Sequence, residues 1–404
     1  MERMIIVSDY IEGQPVVASV RYQGIMNYLA QDREIIVINN ENLGFQNSDF
    51  ASVNYKYSTT KAKFTQDFTK QDVQRVTVIE KILRTPFILS IWRNYKYSKS
   101  KFNKKNESLY LQIDECLDKN QVKAILVTVP DIYNLYILEY IKKKYPNIPA
   151  VVEVRDILNH SIGKGNPSHA YKKAEKMMLN YADGIIALSK GIYEHYKTIS
   201  PHKNIKIIRN GYDHELLSSC QYEPLVNKRE ITLAHIGSIY KGRNIKDFVQ
   251  GLLKFHEETG IKVIFNIVGI LDKEALEDIN SMENNEGIEL NIIGTVPHKE
   301  AIQYLKECDV SVIITHKEGS GYAIPGKTFE YIGACKPILA ITEDFELVSF
   351  ISSKYGECAK HEASDVANKL DKIIKSEYDF SDRLEYSRKK QVEKIIDYLK
   401  DVKS

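Results

Sequence analysis

Short, unbroken runs of aliphatic and β-branched residues recur along this chain, each separated from the next by a stretch long enough for a helix. Met4–Ser8, Ile35–Ile38, Ala124–Thr128, Ala150–Val154, Ile185–Ser189 and Ile205–Ile208 form one series. Ile231–Gly237, Val263–Gly269, Leu290–Gly294, Val310–Ile314 and Pro337–Ile341 form a second. A strand that does not alternate with polar residues is buried on both faces, which calls for a parallel sheet with helices above and below it. Helical spacing over Tyr22–Leu29, Tyr133–Tyr145 and Asp247–Phe255 supplies such helices. Between the two series, Asn210-Gly-Tyr-Asp marks a turn and residues 214–229 are polar and unpatterned. The chain thus reads as two α/β, Rossmann-like, doubly wound domains: 1–213, a linker 214–229, then 230–381, followed by a last helix over 382–404. A length of 404 residues is enough for two cores.

Composition excludes several classes. Hydrophobic residues are 43% and charged residues 27% of the chain, as in soluble globular proteins, so a disordered or fibrous chain is excluded. The net charge of +2 excludes a whole-chain grip on nucleic acid. The apolar runs are far short of the roughly 20 residues needed to span a bilayer. Met1–Asp9 runs straight into a strand and is not read as a signal peptide. Five scattered cysteines without a CxxC pair suit a reducing, cytoplasmic setting and point to no disulfide or zinc site.

One stretch fits neither domain. Within an insertion at about 55–106, residues 81–105 hold eight Lys/Arg and no acidic residue, beside the run Pro86-Phe-Ile-Leu-Ser-Ile-Trp. Cations next to aromatic and aliphatic residues suit the surface of an anionic membrane, or else a solvated basic excursion.

Chemistry is expected where glycines follow strands. Gly237-Ser-Ile-Tyr-Lys-Gly-Arg comes directly after a strand and before a helix, so its backbone N–H groups, with Lys241 and Arg243, suit a phosphate. Residues Gly321 to Thr328 match GxxxxGK[ST]. The context does not suit a P-loop: the preceding strand ends near Thr315, and the helix after Lys327 has room only to about Ala334.

Taken in order, these passages resemble family-4 glycosyltransferases of the GT-B fold. The residues concerned are Ser320, Gly321, Pro325-x-Lys327, Phe329-Glu330-Tyr331 and Gly333-x-x-Lys336-Pro337, with the Gly237 loop and Gly294-Thr-Val-Pro upstream. Tyr181-Ala-Asp-Gly, Ile207-Ile-Arg-Asn-Gly-Tyr-Asp and Val152-Glu-Val-Arg-Asp extend the resemblance into the first half. It implies two Rossmann-like domains facing a central cleft, the last helix returning to the first domain. It further implies a retaining transfer of a sugar from a nucleotide diphosphate sugar, most simply a UDP-sugar, to a glycan or lipid-linked acceptor in cell-surface polysaccharide synthesis.

The resemblance also assigns roles. Gly237, Ser238, Lys241, Arg243, Ser320, Gly321, Gly326, Lys327 and Thr328 fall at the donor diphosphate, Glu330 at the ribose and Val296 at the base. Asp156, Arg243 and Lys327 are the candidate catalytic residues. Gly13, Arg21, Arg155 and His160 fall on the acceptor side, with a plain Arg155–Asp156 ion pair as the alternative reading of those two. No DxD motif occurs, so no metal or other cofactor is expected. One departure stands out: at the position eight before Glu330, where the family often has a first glutamate, this chain has Tyr322, with Glu318 the nearest earlier carboxylate. A nucleotide-sugar epimerase, a P-loop phosphotransferase and a non-catalytic GT-B subunit are the other readings. The expected setting is cytoplasmic, peripheral to the inner face of the membrane through 81–105.

Overall fold

The computed structural model describes residues 2–11, 17–41, 47–57, 85–100, 106–119, 122–158, 166–240, 243, 245–280, 287–317 and 324–402. The chain divides into two compact units, one made of 1–208 with 392–404 and the other of 209–391. Among the described residues no helix is long and apolar enough to cross a membrane.

The first unit runs β1 (Glu2–Ser8), α1 (Val17–Leu29), β2 (Arg33–Asn40), β3 (Val53–Tyr57), α2 (Pro86–Ser100), α3 (Glu107–Lys119), β4 (Val122–Val129), α4 (Ile132–Lys144), β5 (Ala150–Val154), α5 (Ser168–Tyr181), β6 (Gly184–Ala187), α6 (Lys190–Ile199) and β7 (Ile205–Ile207). Its sheet has the order β3-β2-β1-β4-β5-β6-β7, and every pair is parallel. The unalternating strands have the reason expected of them. Ile5, Val7, Ile36, Ile38, Ile125 and Val127 pack into one core, while Met4, Ile6, Ile35, Val37 and Leu126 pack into another on the opposite face. The second core is closed by Tyr22, Ile25 and Met26 of α1 together with Val392, Ile395, Tyr398 and Leu399 from the end of the chain. Tyr398 donates its hydroxyl to the Asn204 carbonyl and accepts from the Ile185 N–H, at 3.0 and 3.1 Å.

The second unit runs α7 (His214–Leu217), β8 (Glu230–Ile236), α8 (Ile245–Thr259), β9 (Lys262–Val268), α9 (Lys273–Asn280), β10 (Ile288–Gly294), α10 (His298–Glu307), β11 (Val310–Ile314), α11 (Lys327–Gly333), β12 (Ile338–Ile341), α12 (Phe345–Ile351), β13 (Gly356–Ala359) and α13 (Ala363–Lys375). A last helix, α14 (Arg388–Asp401), begins here and ends in the first unit. The sheet order is β10-β9-β8-β11-β12-β13, again all parallel.

Two strands lie outside the periodic runs. β3 (Val-Asn-Tyr-Lys-Tyr) sits at the sheet edge and so alternates, which places the start of the 55–106 stretch in the first sheet. β13 (Gly-Glu-Cys-Ala) has no apolar run; its buried Glu357 is held by Lys372 at 2.8 Å and Lys369 at 3.5 Å. In both sheets the winding reverses beside the first strand, between β1 and β4 and between β8 and β11. Loops at the carboxyl ends of those strands form the natural ligand crevice of a doubly wound sheet.

Candidate functional site

At the carboxyl end of β8 the chain turns at Gly237, whose φ of +122° lies in the region that favours glycine. The Gly237 N–H donates to the Val268 carbonyl at 2.7 Å and the Ile239 N–H to the Ile270 carbonyl at 2.9 Å, so the loop continues the pairing of β8 with the segment after β9. The closeness is structural: a Cβ on Gly269 would lie 2.4 Å from the Gly237 carbonyl oxygen. On its other side, a Cβ on Gly237 would lie 2.7 Å from the Lys327 ammonium.

Lys327 opens α11, and its Nζ is 3.1 Å from Nε2 of His235 on β8. His235 is wholly buried, with Nδ1 3.0 Å from the Val312 carbonyl on the neighbouring strand β11. A carbonyl only accepts, so Nδ1 carries the ring proton and Nε2 accepts from the lysine. Burial, then the charges of Lys327 and Arg243, hold the imidazole neutral by pushing its pKa well below the ordinary histidine range. Burial and the Arg243 charge likewise depress Lys327, to about 7.

Arg243 donates from Nη1 to the Ser238 carbonyl at 2.9 Å and lies 4.9 Å from the centre of the Tyr240 ring. Its Nε is buried without a hydrogen-bond partner, as is the hydroxyl of Thr328. Among the described residues no carboxylate forms an ion pair with Lys327 or Arg243. Two cations whose pKa values burial lowers therefore flank a glycine turn, with unused donors beside them. Such a set favours an added anion, since unpaired buried donors and charges are costly.

One turn further along α11, Glu330 accepts from Nε2 of His298 at 2.9 Å. His298 starts α10, just after the loop that holds Val296. The bond to Glu330 raises the His298 pKa, with burial opposing it. The structure thus gathers Gly237, Ser238, Arg243, Lys327 and Thr328 at the end of β8 and the start of α11. Gly326 stands at the N-cap of α11 without a capping side chain, and Glu330 turns to the Val296 loop. Lys241, Ser320 and Gly321, along with Glu318 and Tyr322, lie outside the described residues.

In the first unit, Arg21 is not a surface cation. It is 2% exposed and bound through Nε and Nη2 to both Glu153 oxygens, at 3.0 and 2.5 Å, with the Tyr22 hydroxyl on the same carboxylate. A guanidinium spent in this way anchors α1 to β5 and is not presented to a phosphate. Arg155 pairs with Asp9, at 2.6 Å, and not with Asp156, which is exposed at the end of β5. Asp131 caps α4 through the Tyr133 N–H and accepts from the Tyr57 hydroxyl at 3.0 Å; burial and the nearby Asp9 charge raise it to about 6. Gly13 and His160 lie outside the described residues.

His235, His298, Asp9 and Asp131 are absent from the sequence reading. A faint signal existed for two of them: His235 is the polar interruption in Ile231-Thr-Leu-Ala-His-Ile, and His298 follows Val296 by two positions.

Two outcomes are expected here. Gly237→Ala combines a left-handed backbone angle with a side chain in the space of the Lys327 ammonium, so it is expected to cost about 1–3 kcal/mol of stability. The measurement is urea unfolding of the variant against the parent chain. Glu330→Gln removes the carboxylate that raises His298, so the histidine titration, followed by proton NMR, is expected to move down toward its ordinary value near 6.5. The sign for stability follows. A raised histidine pKa stabilises the fold fully below about 6.5, and the gain is lost as pH rises through the raised value. Glu330→Gln should therefore destabilise more at pH 5.5 than at pH 8 (roughly one unit either side of that value).

Comparison with known proteins bears on the fold and on the second half of the chain. Residues 222–391 match the family described as "Glycosyl transferases group 1". An uncharacterized glycosyltransferase of Methanocaldococcus jannaschii is 25% identical over 162 residues, which are 39% of this chain and 41% of that protein. The matched stretch thus spans about two fifths of that relative's length. Among solved structures, HepE of Anabaena in complex with UDP and glucose is 13% identical, with a TM-score of 0.57 over 100% of this chain and 97% of that one. The lipopolysaccharide outer core galactosyltransferase WaaB in its apo form is 12% identical, with a TM-score of 0.63 over 99% of each chain. At such identities the likeness is one of fold. The chain therefore has the two-domain GT-B fold, and its residues 222–391 are similar to glycosyl transferases group 1.

Proposed function

We propose that this chain is a retaining family-4 glycosyltransferase that moves a hexose-type sugar from a UDP-sugar to a glycan or lipid-linked acceptor, in the building of cell-surface polysaccharide. It works without a metal, at the cytoplasmic face of a membrane. The observation that carries the reading is the Lys327–Arg243 pair around Gly237, held with unused donors and no carboxylate partner among the described residues. The donor's diphosphate is the anion this set suits. When the bond from the anomeric carbon to the diphosphate breaks, its electron pair passes to the leaving phosphate oxygen. Lys327 and Arg243 stabilise the charge that builds there. The acceptor oxygen bonds to the same face of that carbon, and its proton passes to the departing phosphate. Glu330 accepts from the ribose hydroxyls after exchanging His298 for them, and the Val296 loop supports the base. The complex of the HepE neighbour with UDP supports uracil as that base. Asp156, exposed at the carboxyl end of β5, orients the acceptor.

The test is thermal stabilisation by UDP, GDP, ADP and their sugars, with and without magnesium, on the parent chain, Lys327→Ala and Glu330→Ala. A metal-independent shift with UDP that both variants lose supports the reading. A shift with Mg-ATP alone, lost in Lys327→Ala and kept in Glu330→Ala, transfers the site to the P-loop reading, which the short α11 does not favour. No shift with any nucleotide points to a non-catalytic subunit.

A further inference from the structure

At the end of the first sheet away from the ligand crevice, a cavity of about 300 Å³ opens between the amino ends of β1, β2 and β4 and the last helix, α14. β1 covers seven residues, so this recess lies about 20 Å from the carboxyl-end loops. Its floor is apolar, made by Met4 of β1, Ala124 of β4, and Ile396 and Leu399 of α14. These side chains belong to the core that α14 closes on that face of the sheet. Its rim is cationic: Arg33 opens β2, Lys123 stands near the start of β4, and Lys400 lies in the last turn of α14. Lys123 owes its place to the backbone. In the pairing of β1 with β4, Arg3 stands opposite Val122 and Met4 opposite Ala124, so Lys123 is an extra residue in the ladder. A bulge of this kind bends its strand and re-aims the side chain it carries.

Charge in the recess is not balanced. Arg3, also on the lining, is spent on Glu34, to which it gives Nε and Nη2 at 2.5 and 3.3 Å. Arg33 and Lys123 are half-buried and form no ion pair among the described residues. Lys400 reaches Asp397 only at 3.4 Å, on the exposed side of its own helix. Glu2, beside Arg33 in the β1–β2 register, is exposed and pairs with neither cation. Three cations thus face one carboxylate over an apolar floor, and in a half-closed recess their repulsion is greater than in open water. An anion among them removes that cost. Size and charge narrow its nature. A volume near 300 Å³ is at the small end of ligand pockets, enough for a compact molecule and too little for a lipid with two acyl chains. A carboxylate brings one charge, whereas a phosphate monoester brings nearly two and three acceptor oxygens. Those oxygens suit the planar fork of Arg33 and the ammonium groups of Lys123 and Lys400 together.

We propose that this recess binds a small, soluble phosphate monoester with an apolar body, its phosphate on Arg33, Lys123 and Lys400 and its body on the floor between Met4 and Leu399. Because Leu399 and Lys400 belong to α14, the ligand ties the end of the chain to the first sheet. None of these residues serves the donor or the acceptor in the transferase reading, so the two stand or fall separately.

The experiment is calorimetric titration of the full chain with phenyl phosphate, inorganic phosphate and benzoate. Phenyl phosphate is expected to bind about tenfold more tightly than either of the others, since only it offers both the dianion and the apolar body. Its affinity is expected to fall as salt is raised. Arg33→Gln and Lys123→Gln are each expected to weaken it about fivefold, with thermal unfolding of the unliganded chain unchanged. Lys400→Gln, at an exposed position, gives the same test without disturbing the fold. Lys327→Ala is expected to bind phenyl phosphate as the parent chain does. Full binding by Arg33→Gln/Lys123→Gln overturns the proposal, and so does loss of binding in Lys327→Ala, which moves the phosphate to the second unit. Equal affinity for phenyl phosphate and either other probe, or no measurable binding of any, also overturns it. Stabilisation by UDP, measured on the same samples, keeps the two readings apart. Phenyl phosphate binding without a UDP shift sinks the transferase reading alone, and a UDP shift without phenyl phosphate binding sinks this one alone.

Discussion

Lys327→Met is expected to lower kcat/KM for sugar transfer by about 10²–10³-fold, the loss typical of removing one preorganised donor from a site of developing negative charge. The same substitution should leave the fold as stable as before or more so at neutral pH. The reason is the setting of the ammonium, held between a neutral imidazole 3.1 Å away and the Arg243 guanidinium, with a pKa depressed to about 7. The unfolded chain, where a lysine titrates at about 10.4, binds more protons between these two values than the folded chain does. Stability of the parent chain therefore rises with pH across that window, and the Met variant should be flat there. An arriving diphosphate reverses the balance, because an anion beside the ammonium raises its pKa. Donor binding then takes up a proton, and UDP affinity falls by up to about tenfold per pH unit above about 7. Calorimetry in two buffers of different ionisation enthalpy reads that proton directly. Equal apparent enthalpies at pH 8 would show that Lys327 is not the group that meets the phosphate.

The second large effect is on stability. Glu153→Gln leaves the Arg21 guanidinium buried without its counter-charge, and a loss of about 3–5 kcal/mol is expected. Both partners are essentially inaccessible, at 2% and 0% exposure, so solvent offers little compensation. The double variant Arg21→Met/Glu153→Gln should recover much of the loss, since removing a buried pair together is far milder than orphaning one member. Burial alone would raise the Glu153 carboxyl, but Arg21 and the Tyr22 hydroxyl more than offset it and hold its pKa below the usual range. A depressed carboxylate stabilises the fold above its unfolded pKa of about 4.3, and the gain is lost as pH falls through the lower, folded value. Urea midpoints of parent and Glu153→Gln should differ at pH 7 and still near pH 4 (roughly the unfolded value), and should converge only as pH falls through the lower, folded value. An unchanged midpoint at pH 7 would contradict the burial of this pair.

Much of the architecture was legible because burial on both faces removes polar alternation from a strand, and that signature survives without any alignment. The strands it missed are informative. β3 lies on an edge, and β13 carries a buried, lysine-paired glutamate; neither needs a continuous apolar run. The Gly237 turn and Lys327 were legible for a related reason: a strand, a glycine and a helix start within a few residues form a local pattern. Arg21, expected on the acceptor side, is instead spent inside the first unit, and nothing near it in sequence reveals that Glu153, 132 positions away, takes its Nε and Nη2 donors.

The limit of sequence reading follows from range. Periodicity and turn chemistry act over one strand or one helical turn, so they determined two parallel sheets and the loops where chemistry belongs. Which side chains meet in those loops depends on strand order and register. Only the tertiary structure set His235 behind Lys327 across 92 residues, His298 on Glu330 across 32, and Asp9 on Arg155 across 146. Those partners set the Lys327 ammonium against a neutral imidazole, occupy the Glu330 carboxylate and pair Arg155 with a carboxylate other than Asp156. The chain's local chemistry specified where a site would form, and packing across the β1–β4 and β8–β11 switch points decided the charge state in which it waits.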